Sequence, residues 1–335
     1  MSFGTSLTIR SALFQLSGSS QGTRRMANYG LTVVAPGENP KVDIVFVHGL
    51  RADMAKTWTK NGVLWPAQLL PQDVPEARIF LFGYDTAIVR IKPGNVSKTE
   101  VHSNADDLCA KLAAERSNTP EAVNRPIIII AHSLGGLVAA QLFIHGEQSS
   151  DDSSAKAIVK NIRGMIFLGT PFRGSVAAGP AESVRKILQL MGADTQEDTL
   201  KNLGMNSEKA NELTRAFSNL LIKRKRSNDQ IHAFFFYETL ATQVAKWKYV
   251  QVVENDSAQL PGCGDAIPIR ADHHDICKFA TEKEEGYGLI VAAIRKSLEL
   301  PEDDSQGSGG TWVNNYGKAI NVGKNIRIDN QSNTI

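Results

Sequence analysis

Three residues far apart in this chain could together cleave an ester: Ser133, Glu238 and His273. A serine hydroxyl is a weak nucleophile until a base takes its proton, a carboxylate orients that base, and donors meet the developing oxyanion. Ser133 stands in Ala131-His132-Ser133-Leu134-Gly135, directly after four consecutive isoleucines, and helical composition continues from Gly136. A strand that turns sharply into a helix, with serine at its apex and small residues two positions either side, is a nucleophile elbow. The small residues are needed because the tight turn brings two backbones together. Ala131 stands where the first glycine is usual and is the next smallest residue.

In such an arrangement the partners follow in the order serine, acid, histidine. Of the seven histidines, His232, His273 and His274 follow Ser133 at a suitable distance from a strand end. His232 precedes its strand, at the wrong edge of a sheet. His273 is the preferred base, with His274 left open. Glu238 leads for the acid because it follows Ala233-Phe-Phe-Phe-Tyr, and a carboxylate emerging from an apolar strand is costly without a hydrogen-bonded role. Asp256, Glu254 and Asp272 are weaker candidates; Asp272 adjoins the histidine and suits loop capping. The expected oxyanion donors are the amides of Leu134 and of Leu50, with Gly49 allowing close approach and His48 orienting that loop.

These residues need a scaffold, and the hydrophobic pattern supplies one. Leu31–Ala35, Val42–Val47, Arg78–Gly83, the isoleucine run, Gly164–Gly169, Ala233–Tyr237 and Tyr249–Val253 read as strands. Apolar runs of this kind suit strands buried on both faces. Helices are expected from Val63 with Pro66 in the first turn, over 97–116, after Ser133, and over 286–298. Strands alternating with helices predict a doubly wound, mostly parallel α/β sheet. Residues 172–230 interrupt the alternation with helices near 181–191 and 207–223, and are expected to cap the site. Residues 301–310 have linker composition.

Composition narrows the class. The 335 residues are 42% hydrophobic and 21% charged, and a net charge of +2 gives nucleic acid no electrostatic foothold. Cys109, Cys263 and Cys277 form neither a disulfide framework nor a zinc spacing, so no metal or other cofactor is expected and a reducing compartment is favoured. Residues 1–27 are expected to be a flexible extension, although the absence of acidic residues there also suits a targeting peptide.

Taken together, His48-Gly49-Leu50, Phe82-Gly-Tyr-Asp, Ala131-His-Ser-Leu-Gly-Gly, Leu168-Gly-Thr-Pro-Phe-Arg-Gly-Ser, Phe236-Tyr-Glu-Thr and Asp272-His-His-Asp-Ile-Cys-Lys-Phe resemble the α/β-hydrolase group of serine esterases. That group is similar to GPI inositol-deacylase and SERAC-type lipases and to esterase domains of fungal NOD-like receptors. The resemblance covers about residues 28–300 and implies an α/β-hydrolase fold with a helical cap. It also implies carboxylic-ester hydrolysis, of a lipid by preference, and matches Ser133, Glu238 and His273 to the triad. Phe172 departs from the group, where histidine is frequent after Thr-Pro; that bears on substrate preference.

Residues 311–335 differ in kind. They hold six asparagines and one acidic residue, and Ile320, Val322, Ile326 and Ile328 alternate with Asn321, Gly323, Asn325 and Arg327. Stacked asparagines and alternating isoleucines favour cross-β self-assembly. The core Ile320, Asn321, Val322, Gly323, Asn325, Ile326 resembles RHIM-like motifs of fungal amyloid signalling. That likeness implies a homo-oligomer through the tail, a NOD-like receptor partner with a matching copy, and a role in programmed cell death. A cytoplasmic enzyme that meets a membrane surface on activation is the resulting expectation. The competing expectations are a catalytically silent adaptor and a housekeeping organelle lipase, mitochondrial if the N-terminus is a targeting signal. Lys223-Arg-Lys-Arg suits a helix C-terminus or an anionic lipid surface.

Overall fold

The computed structural model describes residues 29–49, 53–84, 100–172, 186–187, 190, 207–245, 247–253, 255–260, 262–264, 266–298, 311–313 and 319–321. Seven strands form one sheet: β1 (Gly30–Ala35), β2 (Val42–Val47), β3 (Ala77–Gly83), β4 (Ile127–His132), β5 (Ile162–Leu168), β6 (His232–Glu238) and, after a small hairpin, β9 (Ala266–Ile269). Their order is β1-β3-β2-β4-β5-β6-β9. Only β1 runs antiparallel, against β3; every other pairing is parallel. The hairpin strands β7 (Thr242–Ala245) and β8 (Lys248–Val250) stand outside the sheet.

Strand periodicity explains how the sheet buries both faces. Val45, Val47, Phe80, Phe82, Ile127, Ile129, Met165 and Phe167 face one cluster. Their neighbours Ile44, Phe46, Ile79, Leu81, Ile128, Ile130, Ile166 and Leu168 face the other. The first cluster is covered by α1 (Glu100–Ser117), α2 (Gly135–Gln148), α3 (Ser154–Lys160) and α4 (Ser207–Arg226). The second is covered by α5 (Glu285–Leu298) and by two short helices, Trp65–Gln68 and Leu70–Asp73. A two-sided parallel sheet of this order is the α/β-hydrolase architecture.

Helix α4 belongs to the segment expected to cap the site. It packs on the sheet face as a crossover between β5 and β6, with Phe217 against Phe143, Phe167 and Phe172. Most of 173–206 lies outside the described residues; of the helix expected near 181–191, residues 186, 187 and 190 are described and are helical. The N-terminal extension 1–27 and the linker 301–310 lie outside them too.

The strand expected at Tyr249–Val253 is a correction. Lys248–Val250 pairs with Thr242–Ala245 in the hairpin, and the last strand of the sheet is Ala266–Ile269. Val252 and Val253 are fully buried without joining the sheet, so their apolar character reflects packing beside Glu238. In the tail, Thr311–Val313 pairs antiparallel with Ala319–Asn321. Val322, Gly323, Asn325 and Ile326 of the expected amyloid core lie outside the described residues.

Candidate active site

Ser133 sits in the turn between β4 and α2 with φ 54°. A non-glycine residue rarely adopts this left-handed conformation, and at an elbow it presents the hydroxyl at the head of the sheet. The turn is held by Ser133 N–H to Leu168 O (2.9 Å) and Gly136 N–H to Ser133 O (3.0 Å). A Cβ at Gly135 would lie 2.3 Å from His48 O, and one at Gly136 would lie 2.1 Å from Thr170 Oγ1. The elbow therefore admits no side chain at either position, because the backbone of β2 and the loop after β5 already fill the space.

The imidazole of His273 comes from the loop after β9. Its Nε2 is 2.9 Å from Ser133 Oγ. On its other side, Nδ1 is 3.3 Å from Glu238 Oε1, at the end of β6. All three residues are fully buried. The same Oε1 accepts a 2.6 Å hydrogen bond from the Val253 amide. A carboxylate beside Nδ1 favours the tautomer that carries the proton there, which leaves Nε2 to accept the serine proton.

Several residues that sequence alone left unassigned fix this line. The His273 amide donates to Thr242 Oγ1 (3.0 Å), and the Gln251 side-chain amide donates to Glu238 O (3.0 Å). His132 Nε2 donates to His273 O (2.9 Å). Burial, and then the neighbouring His273, hold the His132 imidazole well below its ordinary pKa, so it is neutral. Gly169 has φ 58°, and a Cβ there would lie 3.1 Å from His273 Nδ1 and 3.2 Å from Glu238 Oε2. A side chain at this position would be strained by the left-handed backbone and would crowd the imidazole–carboxylate pair. Only one hint of these supports exists in the sequence: a histidine and a glycine immediately beside two motif residues.

The other candidates separate cleanly. His274 is exposed, and Asp272 Oδ1 caps the turn by accepting the His274 and Asp275 amides. His232 opens β6, at the opposite end from Glu238. Glu254 lies outside the described residues, and Asp256 falls in the short helix Asn255–Ala258.

At the expected oxyanion position, the Leu134 amide has no acceptor among the described residues. Leu50 lies outside them. Its neighbour His48 is buried beneath Tyr84, whose hydroxyl donates to His48 O at 2.6 Å. His48 Nδ1 donates to Gly49 O (2.8 Å), and burial lowers its pKa to about 4.

The thiols are unsuited to nucleophilic work. Burial raises Cys109 to about 11 and Cys277 to about 12. Among the described residues no cluster of His, Cys, Asp or Glu is arranged to hold a metal ion. No described helix is long and apolar enough to cross a membrane.

Residues 38–251 match the family described as "Putative serine esterase (DUF676)". The chain belongs to this family. Protein SERAC1 of Danio rerio is 30% identical over 282 residues, covering 78% of this chain and 39% of that protein. Protein SERAC1 of Bos taurus is 28% identical over 276 residues, covering 77% and 39%. The chain thus spans well under half the length of these curated relatives. Among solved structures, Bacillus licheniformis lipase BlEst2 in mature form is 16% identical, with TM-score 0.42, covering 82% of this chain and 99% of that one. Paleococcus ferrophilus monoacylglycerol lipase is 13% identical, with TM-score 0.42, covering 78% and 97%. At scores of this size the fold rests on its own sheet order.

Proposed function

We propose that this chain is a serine hydrolase acting on a carboxylic ester. Ser133 is the nucleophile, His273 the general base and acid, and Glu238 the orienting carboxylate. The observation that carries this reading is the 2.9 Å approach of His273 Nε2 to Ser133 Oγ in a chain of the serine esterase family.

In the first half-reaction Ser133 Oγ attacks the ester carbonyl carbon while its proton passes to His273 Nε2. The carbonyl oxygen becomes an oxyanion, stabilised by the Leu134 amide and by a second donor from the loop at Leu50. His273 then gives its proton to the leaving alcohol, and an acyl-enzyme remains. In the second half, water loses a proton to His273, attacks the acyl carbon and releases the acid, restoring Ser133. Glu238 keeps the imidazole oriented and stabilises the imidazolium throughout. No cofactor enters the scheme.

The resemblance to lipases read from the sequence supports a lipid ester as substrate. For the tail, the alternation of isoleucine and valine with asparagine supports templated cross-β assembly. In this reading a NOD-like receptor carrying a matching copy recruits or activates a cytoplasmic enzyme during programmed cell death.

The test is hydrolysis of a lipid panel by wild type and Ser133→Ala, with and without preformed fibrils of a residue 311–335 peptide. Hydrolysis by wild type alone, raised by fibrils, supports the whole reading. Equal turnover with and without fibrils removes the activation step. No turnover by either protein favours a catalytically silent adaptor.

A further inference from the structure

Six large hydrophobic side chains are exposed among the described residues, and three of them fall within ten positions: Leu240 (45%), Trp247 (85%) and Tyr249 (60%). All belong to the β7–β8 hairpin and the residues leading into it. Trp247 occupies the turn with φ 68°. This left-handed conformation suits glycine or asparagine, and a bulky aromatic there is an outlier. Folding alone gives no reason to place a tryptophan at this position, held away from any core.

The base of the same hairpin is tied to the candidate site. Leu240 N–H donates to Ala271 O (3.0 Å), Thr242 Oγ1 accepts from the His273 amide, and Gln251 holds Glu238 O. The aromatic tip and the hydroxyl of Ser133 are therefore carried at the same end of the sheet. The charge of the segment is one-sided. From Thr239 to Val253 the sequence contains Lys246 and Lys248 and no acidic residue, so lysines flank the exposed tryptophan in the chain.

Exposed tryptophan and tyrosine beside lysines have the chemistry of a membrane interface, where amphipathic rings settle at headgroup level and cations meet anionic lipid. We propose that the hairpin around Trp247 docks the protein on an anionic lipid surface, with Trp247 and Tyr249 entering the headgroup region and the two lysines that flank Trp247 in the sequence supplying the positive charge. Docking through a segment bonded to Glu238 and His273 brings the candidate site to the surface that supplies its substrate. The proposal extends the lipid-ester reading but depends on separate residues.

The experiment is vesicle flotation of the full chain carrying Ser133→Ala, so that no lipid is consumed. The vesicles are phosphatidylcholine alone, or equal parts phosphatidylcholine and phosphatidylserine. Binding is expected on the mixed vesicles and to weaken with added salt. Lys246→Glu with Lys248→Glu should lower the partition coefficient at least roughly thirty-fold, from about one kcal/mol per lysine. Trp247→Asn relieves the left-handed strain, so thermal stability should hold or rise while vesicle binding falls several-fold.

Undiminished binding by Trp247→Asn, or no binding of the parent chain to the mixed vesicles, overturns the proposal. So does a dimer that Trp247→Asn dissociates, since the hairpin would then serve a second copy. The esterase reading is scored separately, by hydrolysis of a soluble short-chain ester. In a chain with Ser133 intact that activity should be unchanged by Trp247→Asn.

Discussion

The Nε2 of His132 donates a 2.9 Å hydrogen bond to the carbonyl oxygen of His273, so the neighbour of Ser133 holds the loop bearing its proposed base. Ser133 and His273 are thereby coupled through the backbone as well as through the 2.9 Å side-chain contact. Replacing His132 by Leu removes the donor and leaves a buried carbonyl unpartnered, at a cost of about 1–3 kcal/mol. A displaced imidazole should lower kcat about 10–100-fold, with a smaller effect on KM. His132→Gln, whose amide reaches nearly as far, should recover much of the loss. Equal kcat in wild type and Leu variants, measured on a soluble ester, would show that the bond does not position His273.

The elbow makes a packing prediction independent of chemistry. Gly136→Ala drives a methyl into Thr170, whose Oγ1 and Cγ2 lie 2.1 and 2.4 Å from where the new carbon would stand. Overpacking of this kind costs about 1–3 kcal/mol. Thr170→Ala removes those two atoms and leaves only Cβ, at 2.8 Å, so the double variant should be more stable than the sum of the singles by about 0.5–3 kcal/mol. Strict additivity in urea unfolding would contradict the contact.

Acid should destabilise the protein through its buried histidines. In the folded state His48 titrates at about 4 instead of 6.5 because burial disfavours the charged ring, and His132 is lowered in the same direction. The unfolded chain takes these protons first. Stability is therefore complete above pH 6.5, falls as pH drops through that value, and levels off for His48 below about 4. For His48 the loss amounts to about 3 kcal/mol. Denaturant unfolding between about pH 8 and pH 4 should show this slope, and His48→Gln should flatten it. A pH-independent stability over that range would refute the assignment.

Asp43 anchors the opposite end of β2. Its carboxylate is fully buried and meets Arg78, Arg116 and Arg125. Asp43→Asn leaves three guanidinium groups without their shared anion and should cost about 3–5 kcal/mol. The network lies at the end of the sheet away from Ser133, so kcat per folded molecule should hold. A large stability loss in thermal unfolding with unchanged kcat is the expected pair of results.

What was legible in the sequence follows from the range of the signal. The elbow is a local pattern, with a fully buried strand and two glycines, so the strand, the turn and Ser133 were all readable. The choice of His273 over His274 was not local. It depends on which imidazole the Thr242 and His132 contacts turn inward, and those partners lie far away in the chain. Strand β9 escaped because Ala266-Ile-Pro-Ile contains a proline, which argues against a strand unless it lies at an edge. It does lie at the edge, paired only with β6. Val252 and Val253 misled for the opposite reason, since their burial beside Glu238 mimics a sheet strand.

The central claim is that His273 activates the hydroxyl of Ser133. Its most direct test is intact-mass and peptide mapping after treatment with a fluorophosphonate, which reacts with activated serines and spares ordinary ones. The account predicts one adduct, carried by the Ser133 peptide, absent in Ser133→Ala and slowed at least about 100-fold in His273→Ala. Equal labelling in His273→Ala, or an adduct on another serine with Ser133 untouched, would contradict it.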